Sequence, residues 1–188
     1  MKNGASQIVQ IYYNKDMEDH HALATQVGEA LRRRHLKLIT AESCTGGLIG
    51  DWITDVPGSS DYYLGGVVAY SYAAKISLLG VPPGLLAQYG AVSEEAVREM
   101  ARGAQRLLTG EYPISEVVAL AVSGIAGPGG GMPDKPVGLV WIALCAPDFE
   151  GAYHFVWQGN RLENKAQSAC EALRLLLEYL EGTPREEA

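Results

Sequence analysis

Leu36-Lys37-Leu38-Ile39-Thr40, running straight into Ala41-Glu42-Ser43-Cys44-Thr45-Gly46-Gly47, is the stretch that decides the fold. Its first five residues form a short, largely apolar run of strand length and read as a buried strand. Two glycines then permit a tight turn, and a helix is expected from about Thr45 to just before Pro57-Gly58. The stretch is therefore a strand-to-helix junction. In open α/β sheets, such junctions at the carboxyl ends of strands are where functional sites lie.

Working outward, apolar residues recur at helical spacing upstream between Met17 and His35: Leu23, Ala24, Val27, Ala30 and Leu31. Before them, residues 1–15 show no helical period and read as an N-terminal extension, with Ile8–Tyr13 either an edge strand or loosely ordered. Downstream, Leu64–Tyr70 reads as a strand, Ala73–Leu79 as a helix and Leu85–Tyr89 as one further turn after the break at Pro82-Pro83-Gly84. A helix starts at Ser93-Glu94-Glu95, whose acidic residues suit a helix N-terminus, and stops by Gly110. Val117–Val122, Val137–Ala146 and Ala152–Trp157 read as three strands, and Asn160–Leu180 as a long amphipathic helix. Strands and helices alternate, then two strands follow in succession. That order predicts a mostly parallel sheet with one antiparallel member and helices on both faces. No repeat or linker interrupts residues 16–188, so they are expected to form one domain.

The bulk properties narrow the function. A chain of 188 residues with 47% hydrophobic content can bury a sizeable core without staples. Its net charge of -7 disfavours nucleic acid as a partner. The one dense basic run, Arg32-Arg33-Arg34-His35, ends a helix, where cations complement the dipole. Three widely spaced cysteines, Cys44, Cys145 and Cys170, suit neither a disulfide framework nor a zinc site and suggest a reducing compartment. There is no membrane-span-length apolar run and no signal-peptide pattern, so a cytoplasmic enzyme or binding protein is expected. No metal and no cofactor is called for, and a homo-oligomer is anticipated.

Four segments carry candidate chemistry. In the Thr40–Gly47 turn, Ser43 stands as a nucleophile and Thr45, Gly46 and Gly47 as ligand-facing groups, or else Ser43 or Thr45 merely caps the helix. In Gly65–Lys75, Lys75 lies near a helix start. Burial there would destabilise its charge and make it a base near neutral pH; otherwise it is a solvated surface lysine. Tyr70 in the same segment offers a ring to a substrate, although aromatics near strands usually pack in cores. In Ser123–Gly131, Ser123, Gly124 and Gly127 follow a strand and expose N–H groups suited to phosphate or an oxyanion, or form a structural crossover. The run is neither a dinucleotide fingerprint nor a P-loop. In Gln158–Arg161, the arginine at a helix start suggests an anionic partner, or a surface ion pair with Glu163 or another acidic neighbour. Among the histidines, adjacent His20 and His21 point apart, and His154 falls in a strand.

Ala41–Gly47, Val56-Pro57-Gly58-Ser59-Ser60, Gly90-Ala91-Val92-Ser93-Glu94, Gly124–Pro128 and Lys135-Pro136-Val137-Gly138 together resemble the C-terminal domain of CinA, the competence-damage-inducible protein. The resemblance covers roughly residues 18 to 181, with every motif in order. It implies a three-layer α/β/α sandwich. It also implies a serine–lysine amidohydrolase that converts nicotinamide mononucleotide to nicotinate mononucleotide and ammonia. By motif position the nucleophile falls on Ser43 and the general base on Lys75, with Ser123, the glycine-rich loop and Arg161 left to bind phosphate or ribose. Relative to long family members the chain is expected to lack an N-terminal nucleotide-processing domain. It also departs from the family's usual Tyr-Ser-Asn-Glu-Ala-Lys, reading Tyr70-Ser71-Tyr72-Ala73-Ala74-Lys75. The amide and carboxylate before the lysine are absent, which keeps open a rival reading: a catalytically silent nucleotide-binding member of the family.

Overall fold

A computed structural model describes residues 20–185; the Ile8–Tyr13 segment lies outside them. The first helix, α1, is described over residues 20–34. There follow β1 (Lys37–Glu42), α2 (Leu48–Thr54), β2 (Tyr63–Val68), α3 (Tyr72–Leu79), α4 (Pro83–Tyr89), α5 (Glu94–Arg106), β3 (Val117–Gly124), β4 (Leu139–Ala146), β5 (Phe149–Val156) and α6 (Arg161–Leu180).

The five strands form one sheet in the order β2-β1-β3-β4-β5. β1 is parallel to both β2 and β3; β4 is antiparallel to β3, and β5 to β4. Only β4 therefore runs against the rest, as the element order predicts. The pairing also explains why the middle strands read as continuous apolar runs. Val117–Val122 of β3 is wholly buried, because helices cover both faces.

The alternation of β3 sorts the two layers. Val118, Leu120 and Val122 face a core shared with Ala24, Val27 and Leu31 of α1, Ile49 and Ile53 of α2, and Leu173 and Leu176 of α6. Ala119 and Ala121 face the other core, with Val97, Met100 and Ala104 of α5 and Leu86 of α4. The second face is alanine-rich, which lets α5 lie close to the sheet. α5 is capped by Ser93, whose Oγ accepts the Ala96 N–H at 3.2 Å. α6 is entered through a full capping box between Asn160 and Glu163, which the sequence reading did not separate from the helix itself.

From β1 the chain passes through α2 to β2 on one side, then through three helices to β3 on the other side. Strand order thus reverses about β1, and the crevice this opens lies at the carboxyl ends of β1 and β3. Ser43 follows β1, Tyr70 follows β2, Ser123 lies at the end of β3 just before Gly124, and Arg161 follows β5, whose carboxyl end is at the same edge, so the topology gathers all four candidate segments there. Among the described residues no helix is long and apolar enough to cross a membrane.

Candidate active site

The turn after β1 is held from both ends. Ser43 N–H donates to the Val122 carbonyl at 3.0 Å, so the chain stays anchored to β3 one residue past the strand. Gly46 and Gly47 have φ of 69° and 100°, the left-handed region that a Cβ strains. Gly47 is the N-cap of α2 and has no side chain to cap with, so the cap comes from further back. The carboxylate of Glu42, 2% exposed, accepts the N–H groups of Gly47 at 2.9 Å, Ile49 at 3.2 Å and Gly50 at 2.9 Å. The Glu42 carbonyl accepts the Ala69 N–H at 2.8 Å, which ties the exit of β2 to the same residue. Neither Ser43 nor Thr45 caps the helix.

Lys75 comes from α3, whose start is fixed by Ser71 accepting the Ala74 N–H at 3.1 Å. The side chain is 1% exposed, which removes the surface-lysine reading. Its Nζ donates to Ser43 Oγ at 2.9 Å and to the Ala69 carbonyl at 2.6 Å. Burial lowers the lysine's pKa from 10.5 to about 8, outweighing the opposing charge interaction with Cys44. In the neutral amine the first bond reverses, and Nζ accepts the Ser43 hydroxyl proton. Cys44 also lines this region, but burial pushes its thiol up to about 12 and keeps it protonated. Of the adjacent hydroxyl and thiol, Ser43 is therefore the one with a base beside it.

The pair opens into a cleft of about 260 Å³. Tyr70, Ala91, Val92, Ser123, the loop from Gly124 to Gly130 excluding Pro128, and Arg161 complete its wall, and no Asp or Glu lines it among the described residues. Two of the loop's carbonyls are held by side chains of α6. Buried Asn164 donates to the Ala126 carbonyl at 3.1 Å, and Arg161 donates to the Gly127 carbonyl at 2.7 Å. The N–H groups of Ala126, Gly127, Gly129 and Gly130 have no protein acceptor among the described residues. A second arm of Arg161 donates to the Tyr70 phenol at 2.8 Å, and the anticipated ion pair with Glu163 is not formed. Glu163 is occupied with the Asn160 N–H.

The structure thus brings together Ser43, Lys75, Tyr70, Ser123, Gly124, Gly127 and Arg161. It does not bring Thr45, Gly46 or Gly47 to the cleft wall. Thr45 is fully buried, Gly46 N–H is taken by the Ser43 carbonyl and Gly47 N–H by Glu42. Ser123 is on the wall, but its hydroxyl proton goes to the Ala91 carbonyl at 2.6 Å. Glu42 and Asn164 were missed as organisers of the site. The signals were an acidic residue before a glycine-rich helix start and an asparagine one turn into α6. The histidines stand aside: His20 stacks on Trp52 at 4.1 Å, and His154 is exposed against Trp141.

The family model of the CinA C-terminal domain matches residues 20–180. The chain belongs to that family. A competence-damage inducible protein of Symbiobacterium thermophilum is 46% identical over 173 residues, covering 87% of this chain and 39% of the relative. A CinA-like protein of Trichormus variabilis is 45% identical over 161 residues, covering 84% of this chain and 37% of the relative. The chain thus spans about two-fifths of the length of these curated relatives. Among solved CinA-superfamily structures, one from Klebsiella pneumoniae superposes with a TM-score of 0.79 at 36% identity, covering 87% of this chain and 98% of that one. The Agrobacterium tumefaciens competence/damage inducible protein superposes with 0.76 at 37% identity, covering 87% and 96%. The expected α/β architecture is thus that of the CinA superfamily.

Proposed function

We propose that this CinA-family domain hydrolyses the carboxamide of nicotinamide mononucleotide, giving nicotinate mononucleotide and ammonia. The observation that carries the reading is the buried 2.9 Å contact between Ser43 Oγ and Lys75 Nζ at the floor of a cleft. A serine is a poor nucleophile at neutral pH unless a base removes its proton, and an amine lowered to about 8 is such a base.

In the proposed reaction Ser43 Oγ attacks the carboxamide carbon while its proton passes to Lys75 Nζ. The carbonyl π electrons move onto oxygen, and N–H groups of the 126–130 loop, which lines the same cleft, serve as donors for that oxyanion. On collapse the C–N bond breaks, Lys75 returns the proton to the leaving nitrogen and ammonia departs. Water then attacks the acyl ester, giving its proton to Lys75. Cleavage of the ester C–O bond frees the acid and returns the proton to Ser43. The substrate phosphate falls to the remaining loop amides and Arg161, in a wall free of opposing carboxylates.

The experiment is ammonia release from nicotinamide mononucleotide, its riboside and free nicotinamide, with Ser43→Ala alongside. The expected result is release from the nucleotide and a loss of several orders of magnitude in the variant, with folding intact. Nucleotide bound but never hydrolysed by the wild type would favour the silent-binder reading. Near-normal release by Ser43→Ala would remove the serine from the chemistry.

A further inference from the structure

The link from α4 to α5 contributes Ala91 and Val92 to the cleft wall, yet residues 90–92 belong to no helix or strand. Their position is set from outside. Lys135, in the loop before β4, donates to the Tyr89 carbonyl. Ser93 Oγ donates to the Gly90 carbonyl at 3.1 Å, and Ser123, at the end of β3, donates to the Ala91 carbonyl at 2.6 Å. The Ala91 N–H donates to the phenol oxygen of Tyr72 at 3.2 Å. Three side chains thus hold Gly90 and Ala91, and a fourth holds the helix end just before them.

The Tyr72 tie is the one that reaches the segment from the helix of Lys75. Tyr72 begins α3, three residues before Lys75, so one helix carries both the amine and the tether. Tyr72 is 52% exposed, so core packing does not account for an aromatic there. Gly90 shows how close the parts lie: a Cβ on it would stand 3.2 Å from Lys135 Nζ and 3.8 Å from the Tyr72 hydroxyl. Tyr72 itself is not on the cleft wall.

We infer that Tyr72 is a positioning residue that fixes the Ala91–Val92 wall to the helix of Lys75, and so sets which acyl group fits between that wall and Ser43. The substrate part of this inference rests on the amidohydrolase reading; the tether does not. Losing the phenol loosens the wall without touching the amine. The effect therefore falls on substrate affinity and ring-size discrimination, and leaves the titration of the base alone.

The test is Tyr72→Phe, which keeps the ring and removes the acceptor, read by hydrogen–deuterium exchange over residues 89–92 and by steady-state kinetics. Exchange at the Ala91 amide is expected to rise several-fold. KM for nicotinamide mononucleotide should rise about two- to tenfold, as for one lost hydrogen bond, with kcat within about twofold and the acidic limb of the pH profile unmoved. Preference for nicotinamide over a bulkier fused-ring carboxamide nucleotide should narrow. Unchanged exchange at Ala91 overturns the tether, whatever the kinetics. Faster exchange with unchanged KM and unchanged preference overturns the positioning role. Should the wild type release no ammonia, the amidohydrolase reading fails separately, and calorimetric affinity for nicotinamide mononucleotide takes the place of KM. Weaker binding by Tyr72→Phe then supports the positioning role, and equal binding overturns it.

Discussion

Lys75 shows how one residue's environment selects its chemistry. An ammonium has three donors, and the pocket supplies Ser43 Oγ and the Ala69 carbonyl as acceptors, while burial removes the solvent that would stabilise the charge. With a pKa of about 8, about a tenth of the molecules carry the neutral amine at pH 7. The hydrolysis rate should therefore rise nearly tenfold per pH unit through the acidic range and level off above about 8. A profile flat from pH 6 to 9 would mean that no group of this kind limits the rate. Lys75→Arg should be as inactive as Lys75→Ala in ammonia-release assays, because a guanidinium stays protonated in proteins. Arg161 is a different case. It is tied to the Gly127 carbonyl and the Tyr70 phenol, so its removal loosens the loop as well as deleting a charge. A charge-assisted phosphate contact adds about 1.5 to 3 kcal/mol, so Arg161→Ala should weaken binding of the nucleotide by that much more than binding of the riboside. Calorimetry with both ligands measures the difference, and equal losses would reduce Arg161 to its structural ties.

At the scale of elements, the decisive contact is between β1 and α2. Glu42 ends the strand, and its carboxylate takes three N–H groups at the start of the helix, a place where negative charge is favoured. Glu42→Ala should leave these amides short of an acceptor and cost on the order of 3 to 5 kcal/mol, measurable by urea denaturation. Glu42→Gln, which keeps one carbonyl oxygen, should cost less; a cost below about 1 kcal/mol for both would mean that water replaces the carboxylate. This cap also marks where sequence reasoning stopped. The periodic elements were legible, because β1, β3, α5 and α6 carry their apolar pattern on their surface. The sequence also placed Ser43 and Lys75 correctly at strand ends and helix starts. It did not reveal that Glu42 serves α2, because the signal, an acidic residue before a glycine-rich helix start, lies five residues from the cap and outside the usual capping spacing. For the same reason Gly46 and Gly47 looked available to a ligand. Their positive φ was foreseeable, but the acceptors that take their N–H groups come from the turn and strand before them. Tyr72, read as a departure from a pattern, shows its meaning only when Ala91, distant in sequence, is seen beside it.

For the whole molecule, strand order reverses at β1, and the crevice so formed draws Ser43, Lys75 and the 124–130 loop together from three separate connections. Burying an amine there lowers the stability of the entire domain. Below about pH 8 Lys75 is charged in both folded and unfolded chains, and the folded chain bears the cost of its burial. Between about 8 and 10.5 the unfolded chain still holds the proton while the folded chain has released it, so stability rises with pH across this window. The span of the shift corresponds to roughly 3 kcal/mol. Lys75→Met removes this titration while filling a similar space. The variant's own stability is reduced by the Ala69 carbonyl it leaves without the lysine, but that loss does not vary with pH. The difference in unfolding free energy between wild type and Lys75→Met should therefore move in favour of the wild type by about 3 kcal/mol from pH 7 to pH 10.5. Titrating groups remote from Lys75 change both proteins alike and cancel in the difference, and the Cys44 thiol, which feels the lysine's charge, is pushed up to about 12 and stays largely protonated across this range. Urea unfolding of the two proteins at half-unit pH intervals measures it. A difference constant across the range would show that Lys75 titrates in the folded chain as it does in the unfolded one, and the base beside Ser43 would be lost with it.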